Sequence, residues 1–176
     1  MKNDEKLRYP AGRFSPKEKY TFEELQLLID KIAGFPSRLQ QVMAIITPQQ
    51  MDTRYREGGW TLRQVIHHLS DSHMNAYIRL KWTLTEDKPT IKAYDEKGWA
   101  ETVEIKEDPQ ISAALLSQLH AKWVRLLKGL VPEDFERGYM HPESGKFYTL
   151  AHQVALYAWH GDHHLGHLRL VTEKGD

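Results

Sequence analysis

An all-α fold, specifically a four-helix bundle, is what the sequence predicts, and three observations carry it. Apolar residues recur at helical spacing in four long stretches. Each stretch opens on a helix-capping residue or an Asp-Pro pair. Between the second and third stretches lies a long connection, residues 86–107, with Pro89 and Gly98 in it. A link of that length suits a crossover, so the helices on either side of it are expected to run parallel.

Residues 1–20 carry Pro10, Gly12 and Pro16 among aromatic and charged side chains, which predicts an extended arm on the domain surface. Thr21-Phe22-Glu23-Glu24 has capping-box spacing. It opens a helix over 22–46, with a break near Gly34 and Pro36 and an apolar stripe of Leu25, Leu27, Leu28, Ile32, Leu39, Val42 and Ile46. After Gly58-Gly59, Thr61 and Gln64 can cap one another, and Trp60 and Val65 occupy staple positions. The second helix is expected over 62–85, with Leu62, Val65, Ile66, Leu69, Ala76, Leu80 and Leu84 on one side. Asp108-Pro109 starts the third, which runs to Gly129 with Ile111, Leu115, Leu119, Trp123 and Leu126 or Leu127 inward. Residues 139–148 read as a turn between short extended pieces. Thr149 then caps a fourth helix over 150–172.

At 176 residues, 40 % hydrophobic and 27 % charged, the chain (1–176) is expected to be one domain around one core. No stretch is apolar enough for a membrane span, and residues 1–6 lack the apolar region of a secretory signal, so the expected location is the cytoplasm. Lys plus Arg equal Asp plus Glu at 24 each, which leaves no net field to attract nucleic acid or a membrane surface. The absence of cysteine excludes disulfides, thiolate nucleophiles and sulfur-ligated zinc. Any metal must be held by nitrogen and oxygen.

Eight of the ten histidines cluster, at 67, 68 and 73 and again at 152, 160, 163, 164 and 167. His160 and His164 are four apart, as are His163 and His167, and residues at that spacing share one helix face. The inward face of the fourth helix, marked by Leu150, Val154, Tyr157, Leu165 and Leu168, lies nearest His164 and then His160. His163 points away from it, and His167 lies beside His160. A single pair at this spacing is more often incidental than a ligand pair. A third histidine from the second helix would complete a three-nitrogen site with an open fourth position. There, periodicity leaves His68 and His73 close in rank, with His67 almost opposite; His73 also suits a core histidine hydrogen-bonded to a neighbour.

Other chemistries lack their signatures. The chain has no His-Glu-x-x-His, no Gly-x-Ser-x-Gly and no Gly-x-x-x-x-Gly-Lys. Asp71-Ser72-His73 has the residue types of a catalytic triad, but consecutive helical residues diverge.

Motifs lie along nearly the whole chain: Tyr9-Pro10-Ala11-Gly12-Arg13-Phe14-Ser15-Pro16, Tyr55 through Thr61, and His67-His68-Leu69-Ser70-Asp71-Ser72-His73-Met74-Asn75. They continue through Tyr94-Asp95-Glu96 with Trp99, His141-Pro142, and Trp159-His160 with His163-His164. In these motifs and their order the chain resembles the YfiT-like branch of the DinB superfamily, which groups metal-dependent hydrolases with bacillithiol S-transferases. The resemblance implies an up-down-down-up bundle, a homodimer, and one divalent ion per chain, zinc first and nickel as the alternative. It selects His68 beside His160 and His164 as the metal ligands. The implied activity is hydrolysis, with a bacillithiol-type thiol S-transferase or a non-catalytic metal-binding stress-response module as alternatives. The substrate would be a small molecule, with water or a low-molecular-weight thiol activated at the fourth position and no protein nucleophile assigned. Asp71, Asn75, Asp162 and His167 are candidates to orient the ligands, and Trp60, Tyr77, Tyr157 and Trp159 to line a pocket.

Overall fold

A computed structural model describes residues 2–173. Its helices are α1 (Lys2–Arg8), α2 (Phe22–Ala33), α3 (Phe35–Met43), α4 (Pro48–Met51), α5 (Leu62–Thr85), α6 (Glu96–Trp99), α7 (Gln110–Lys128) and α8 (Leu150–Thr172). A two-stranded antiparallel ribbon, β1 (Gly138–His141) and β2 (Lys146–Thr149), precedes α8. Among the described residues no helix is long and apolar enough to cross a membrane.

Local chemistry explains the helix boundaries. The Thr21 side chain accepts from the Glu24 amide while Glu24 reaches back to the Thr21 amide, and Thr61 with Gln64 repeats the arrangement at α5. Thr149 caps α8 through the His152 amide, and the Asp108 carboxylate accepts from the Gln110 amide at the start of α7. The first predicted helix is two. Gly34 is at once the C-cap of α2 and the N-cap of α3, with Pro36 in the first turn beyond it. The helix also stops at Met43 rather than 46, and a short capped turn, α4, follows.

Contacts between named residues give the topology. His67 and His73 on α5 meet Ser112 and His120 on α7 in the same order, so α5 and α7 are parallel. Going down α5 through His68, Ser72 and Ala76 meets His164, Tyr157 and Gln153 going up α8, so these two are antiparallel. Phe35 packs at Gly161 and Gln50 reaches the Val171 carbonyl, which makes the α2–α3 rod parallel to α8. The order is up-down-down-up, and the link containing α6 and a 3-10 turn (Val103–Lys106) supplies the crossover.

Two apolar clusters fill the bundle. Phe35, Leu39, Leu62, Leu69, Leu116 and Leu165 belong to one, and Leu25, Ile29, Leu80, Trp123, Phe135 and Val154 to the other. His73 and His120 lie between them, against Phe35 of the first and Trp123 of the second.

Three expectations need correction. The start of the arm is helical, since α1 occupies residues 2–8, and only the chain after it is extended. On α7, Ile111 and Leu115 face solvent (64 % and 48 % exposed), while Ser112, Leu116 and His120 are buried with Trp123 and Leu127. The face turned inward because Ser112 and His120 find hydrogen-bond partners on neighbouring elements, which removes the penalty for burying them. On α8, His163 is buried rather than outward, because the arm covers that side of the helix. Pro10 lies against Gly166, and Trp159 Nε1 donates to the Gly12 carbonyl at 3.1 Å. A helix covered all round needs no polar face.

Candidate metal centre

The structure brings His68 of α5 together with His160 and His164 of α8. One ring nitrogen of each lies within 4.8 Å of the other two. Ring centroids are 4.5 Å apart for His160–His164, 4.9 Å for His68–His164 and 5.5 Å for His68–His160. His68 and His164 are buried and His160 is partly exposed. Burial brings the His68 pKa down to about 4, with His163 adding to the effect. Burial and the neighbouring imidazoles hold His160 and His164 well below the ordinary value. All three rings are therefore neutral near pH 7, the state in which imidazole ligates metal.

Hydrogen bonds fix which nitrogen of two of these rings is free. The Ile32 carbonyl can only accept, so His120 Nδ1, 2.9 Å away, carries the proton and its Nε2 accepts. His73 Nδ1 then donates to His120 Nε2 at 2.7 Å, which leaves His73 Nε2 to accept from His160 Nδ1 at 3.1 Å. The His160 lone pair is left on Nε2. A second chain of the same logic begins at the Arg8 carbonyl, which accepts from His167 Nε2 at 3.2 Å. His167 Nδ1 accepts from His164 Nδ1 at 3.3 Å, which frees His164 Nε2. His167 is itself held by the Tyr55 ring, stacked at 3.9 Å. His68 makes no hydrogen bond among the described residues and packs against Trp60, centroids 4.7 Å apart.

Of the four residues expected to orient ligands, only His167 touches one. Both Asp162 oxygens are engaged by Lys31 and Arg38, the latter at 2.6 Å, so Asp162 ties the α2–α3 rod to α8. Asn75 donates to the Asp71 backbone carbonyl. Asp71, whose pKa burial and Glu104 raise to about 6, makes no hydrogen bond to the three histidines. His67 faces α7, with Nδ1 2.7 Å from Ser112 Oγ. Sequence reasoning missed His120, whose signal was a lone histidine three residues before Trp123 on an apolar helix. A second trio, His163, His164 and His167, also has ligand atoms close together, but it shares His164 with the first.

His160 forms part of the wall of a cleft of about 530 Å³ that also includes Tyr157, Arg79, Tyr139 and His141. Tyr157 is fixed by its hydroxyl, which donates to the Ser72 carbonyl at 3.1 Å. Trp159 lies outside the cleft, stacked on His163, and Tyr77 packs on the second apolar cluster.

The chain belongs to a known class of helical proteins: residues 32–168 match the DinB superfamily. The relative named "Putative metal-dependent hydrolase YfiT" of Bacillus subtilis is 45 % identical over 169 residues, covering 96 % of this chain and 95 % of its own length. A relative with the same description in Bacillus cereus is 47 % identical over 168 residues, 96 % of both chains. The solved YfiT structure from Bacillus subtilis superposes with a TM-score of 0.93 at 44 % identity, covering 96 % of this chain and 97 % of that one. It is described as "a probable metal-dependent hydrolase with an unusual four-helix bundle topology".

Proposed function

We infer that this protein is a metal-dependent hydrolase of small molecules in which His68, His160 and His164 hold one divalent ion through ring nitrogens. The single observation that carries this reading is the convergence of the three neutral rings, with the His160 and His164 lone pairs directed by hydrogen-bonded chains that end on backbone carbonyls. The donor set fits the ion. Three neutral nitrogens suit zinc or nickel, with zinc the first choice, and contribute no charge to offset that of the metal. Bound there, the ion would supply Lewis acidity, polarising a carbonyl, bringing the pKa of a water toward about 7 or holding a thiol as its thiolate.

The protein's own groups prepare the site. His73 and His167 hold the rings of His160 and His164 in one tautomer and orientation, so little reorganisation accompanies ligand binding. Trp60 covers one side of His68 and limits water there. The partly exposed His160 gives the site its opening to the cleft. A thiol could use the same opening, and since the chain has no cysteine that thiol would have to arrive as substrate.

Elemental analysis of untagged protein tests the site: about one ion per chain in wild type and none in His68→Ala or His164→Ala is expected. Ester and amide hydrolysis without thiol, assayed beside consumption of thiol with an alkylating electrophile, separates the two reactions. Turnover only in the second assay replaces hydrolysis by thiol transfer, and absence of metal removes the enzyme reading.

A further inference from the structure

The cleft beside His160 continues into a hollow of about 560 Å³, the two sharing Arg79, Glu96 and His141 and the second adding Tyr94. Three buried polar atoms around this groove have no hydrogen-bond partner: Arg79 Nε, His141 Nδ1 and the Tyr94 hydroxyl. Buried polar atoms are almost always paired, because leaving one unpaired forfeits its hydration without return. Three orphans around one groove mark a place where a bound molecule supplies the missing partner.

Arg79 sets the sign of that partner. Its guanidinium makes one long bond, 3.5 Å to the Lys92 carbonyl, and among the described residues no carboxylate reaches ion-pairing distance. By contrast, Arg13, Arg38 and Arg63 each hold a carboxylate at 2.6–2.8 Å. Glu96 borders the groove without closing that pair, so the guanidinium fork is open to a planar anion. Arg79 is the cation common to both hollows, and the other charged side chains of the lining, Lys97 and Lys146 against Asp95, Glu96 and Glu143, leave no positive surplus beyond it, so the fork suits a single negative charge. A phosphate dianion would bring surplus charge beside Glu96.

We propose that the groove binds a small substrate bearing a carboxylate, held by Arg79 with His141 and Tyr94, while its reacting group lies against His68, His160 and His164. This rests on the metal-site reading, and the test separates the two. Acetohydroxamate and the monohydroxamates of succinic and glutaric acid share a metal-chelating end, and only the latter two add a carboxylate. Titrated calorimetrically into zinc-loaded protein, at least one carboxylated probe is expected to bind about tenfold or more tighter than acetohydroxamate. Arg79→Gln should abolish that advantage while leaving acetohydroxamate within about twofold of wild type, and His141→Gln, at the other side of the groove, should reduce it. Equal binding of all three probes to wild type, or an advantage that survives both substitutions, overturns the carboxylate site. Failure of every hydroxamate to bind zinc-loaded protein instead removes the metal-site reading and the inference with it.

Discussion

His160 Nδ1 lies 3.1 Å from His73 Nε2, and through that one hydrogen bond the orientation of a candidate ligand depends on a histidine that is 1 % exposed. His73→Leu removes the acceptor and leaves the His160 ring free to adopt either tautomer. Metal affinity is expected to fall by about 10- to 100-fold, with one ion per chain still bound at saturation. His73→Gln offers a carboxamide oxygen in roughly the same place and should recover part of the loss. Competition against a chromogenic chelator measures both. Unchanged affinity in His73→Leu would show that the hydrogen bond does not orient a ligand.

Asp162 is predicted to contribute to stability and not to the metal. Its bonds go to Lys31, which is exposed, and Arg38, which is partly buried, so Asp162→Asn should cost about 1 kcal/mol in urea unfolding of the metal-free protein. Metal affinity should stay within about twofold, a change within the scatter expected for an uncoupled site. A large drop in affinity at unchanged stability would restore the orienting role expected from the sequence.

What the sequence made legible was local. Thr21, Thr61 and Thr149 cap their helices through residues three positions on, and Gly34 with Pro36 breaks the first rod. The faces of α7 and α8 were less legible because non-local partners decide them. Ile111 and Leu115 satisfy an apolar period yet point to solvent, since periodicity weighs hydrophobicity and cannot see that Ile32 and His67 will satisfy His120 and Ser112. His163 reads as an outward residue until the arm places Tyr9 over it and its Gly12 carbonyl accepts from Trp159, which stacks on the His163 ring. In the candidate site, spacing singled out His160 and His164, but it could not rank His68 against His73. That choice depends on what each ring faces, Trp60 and the α8 pair for one and His120 for the other.

Acid should weaken the metal-free fold, and His120 is one measurable cause. Burial chiefly brings its pKa down from 6.5 to about 4, with the bond to Ile32 opposing. Above pH 6.5 the residue is neutral folded or unfolded and adds no pH dependence. As pH falls from 6.5 toward about 4, the unfolded chain takes up a proton that the folded chain refuses. Stability then drops by about 1.4 kcal/mol per pH unit for this group and levels off below. His120→Gln should reduce the slope of unfolding free energy against pH by about one proton in that window. Urea titrations at several pH values between about 7 and about 4.5 read the slope, and an unaltered slope would mean that His120 takes up its proton as readily in the folded protein as in the unfolded one.

Two glycines of the first rod and α8 should respond in opposite ways to alanine. Gly34, at the joint of α2 and α3, has φ −76° and would place a new methyl no closer than 3.7 Å to another atom. Gly34→Ala restricts the unfolded chain without a clash, so the effect should be neutral to about 1 kcal/mol stabilising. Gly161 sits between His160 and Asp162, where a Cβ would come within 2.7 Å of Phe35 Cδ2. Phe35 is 1 % exposed and packs on His73 and His120 at centroid distances of 5.3 and 5.6 Å, so its ring has no free space to retreat into. Gly161→Ala is expected to cost about 1–3 kcal/mol. Because the displaced ring presses on His73, it should also weaken metal binding, which an overpacked site remote from the histidines would not do. Thermal unfolding with and without zinc separates the two effects: a loss of stability in the metal-free protein together with a smaller zinc-induced rise in Tm supports the coupling, and an undiminished rise removes it.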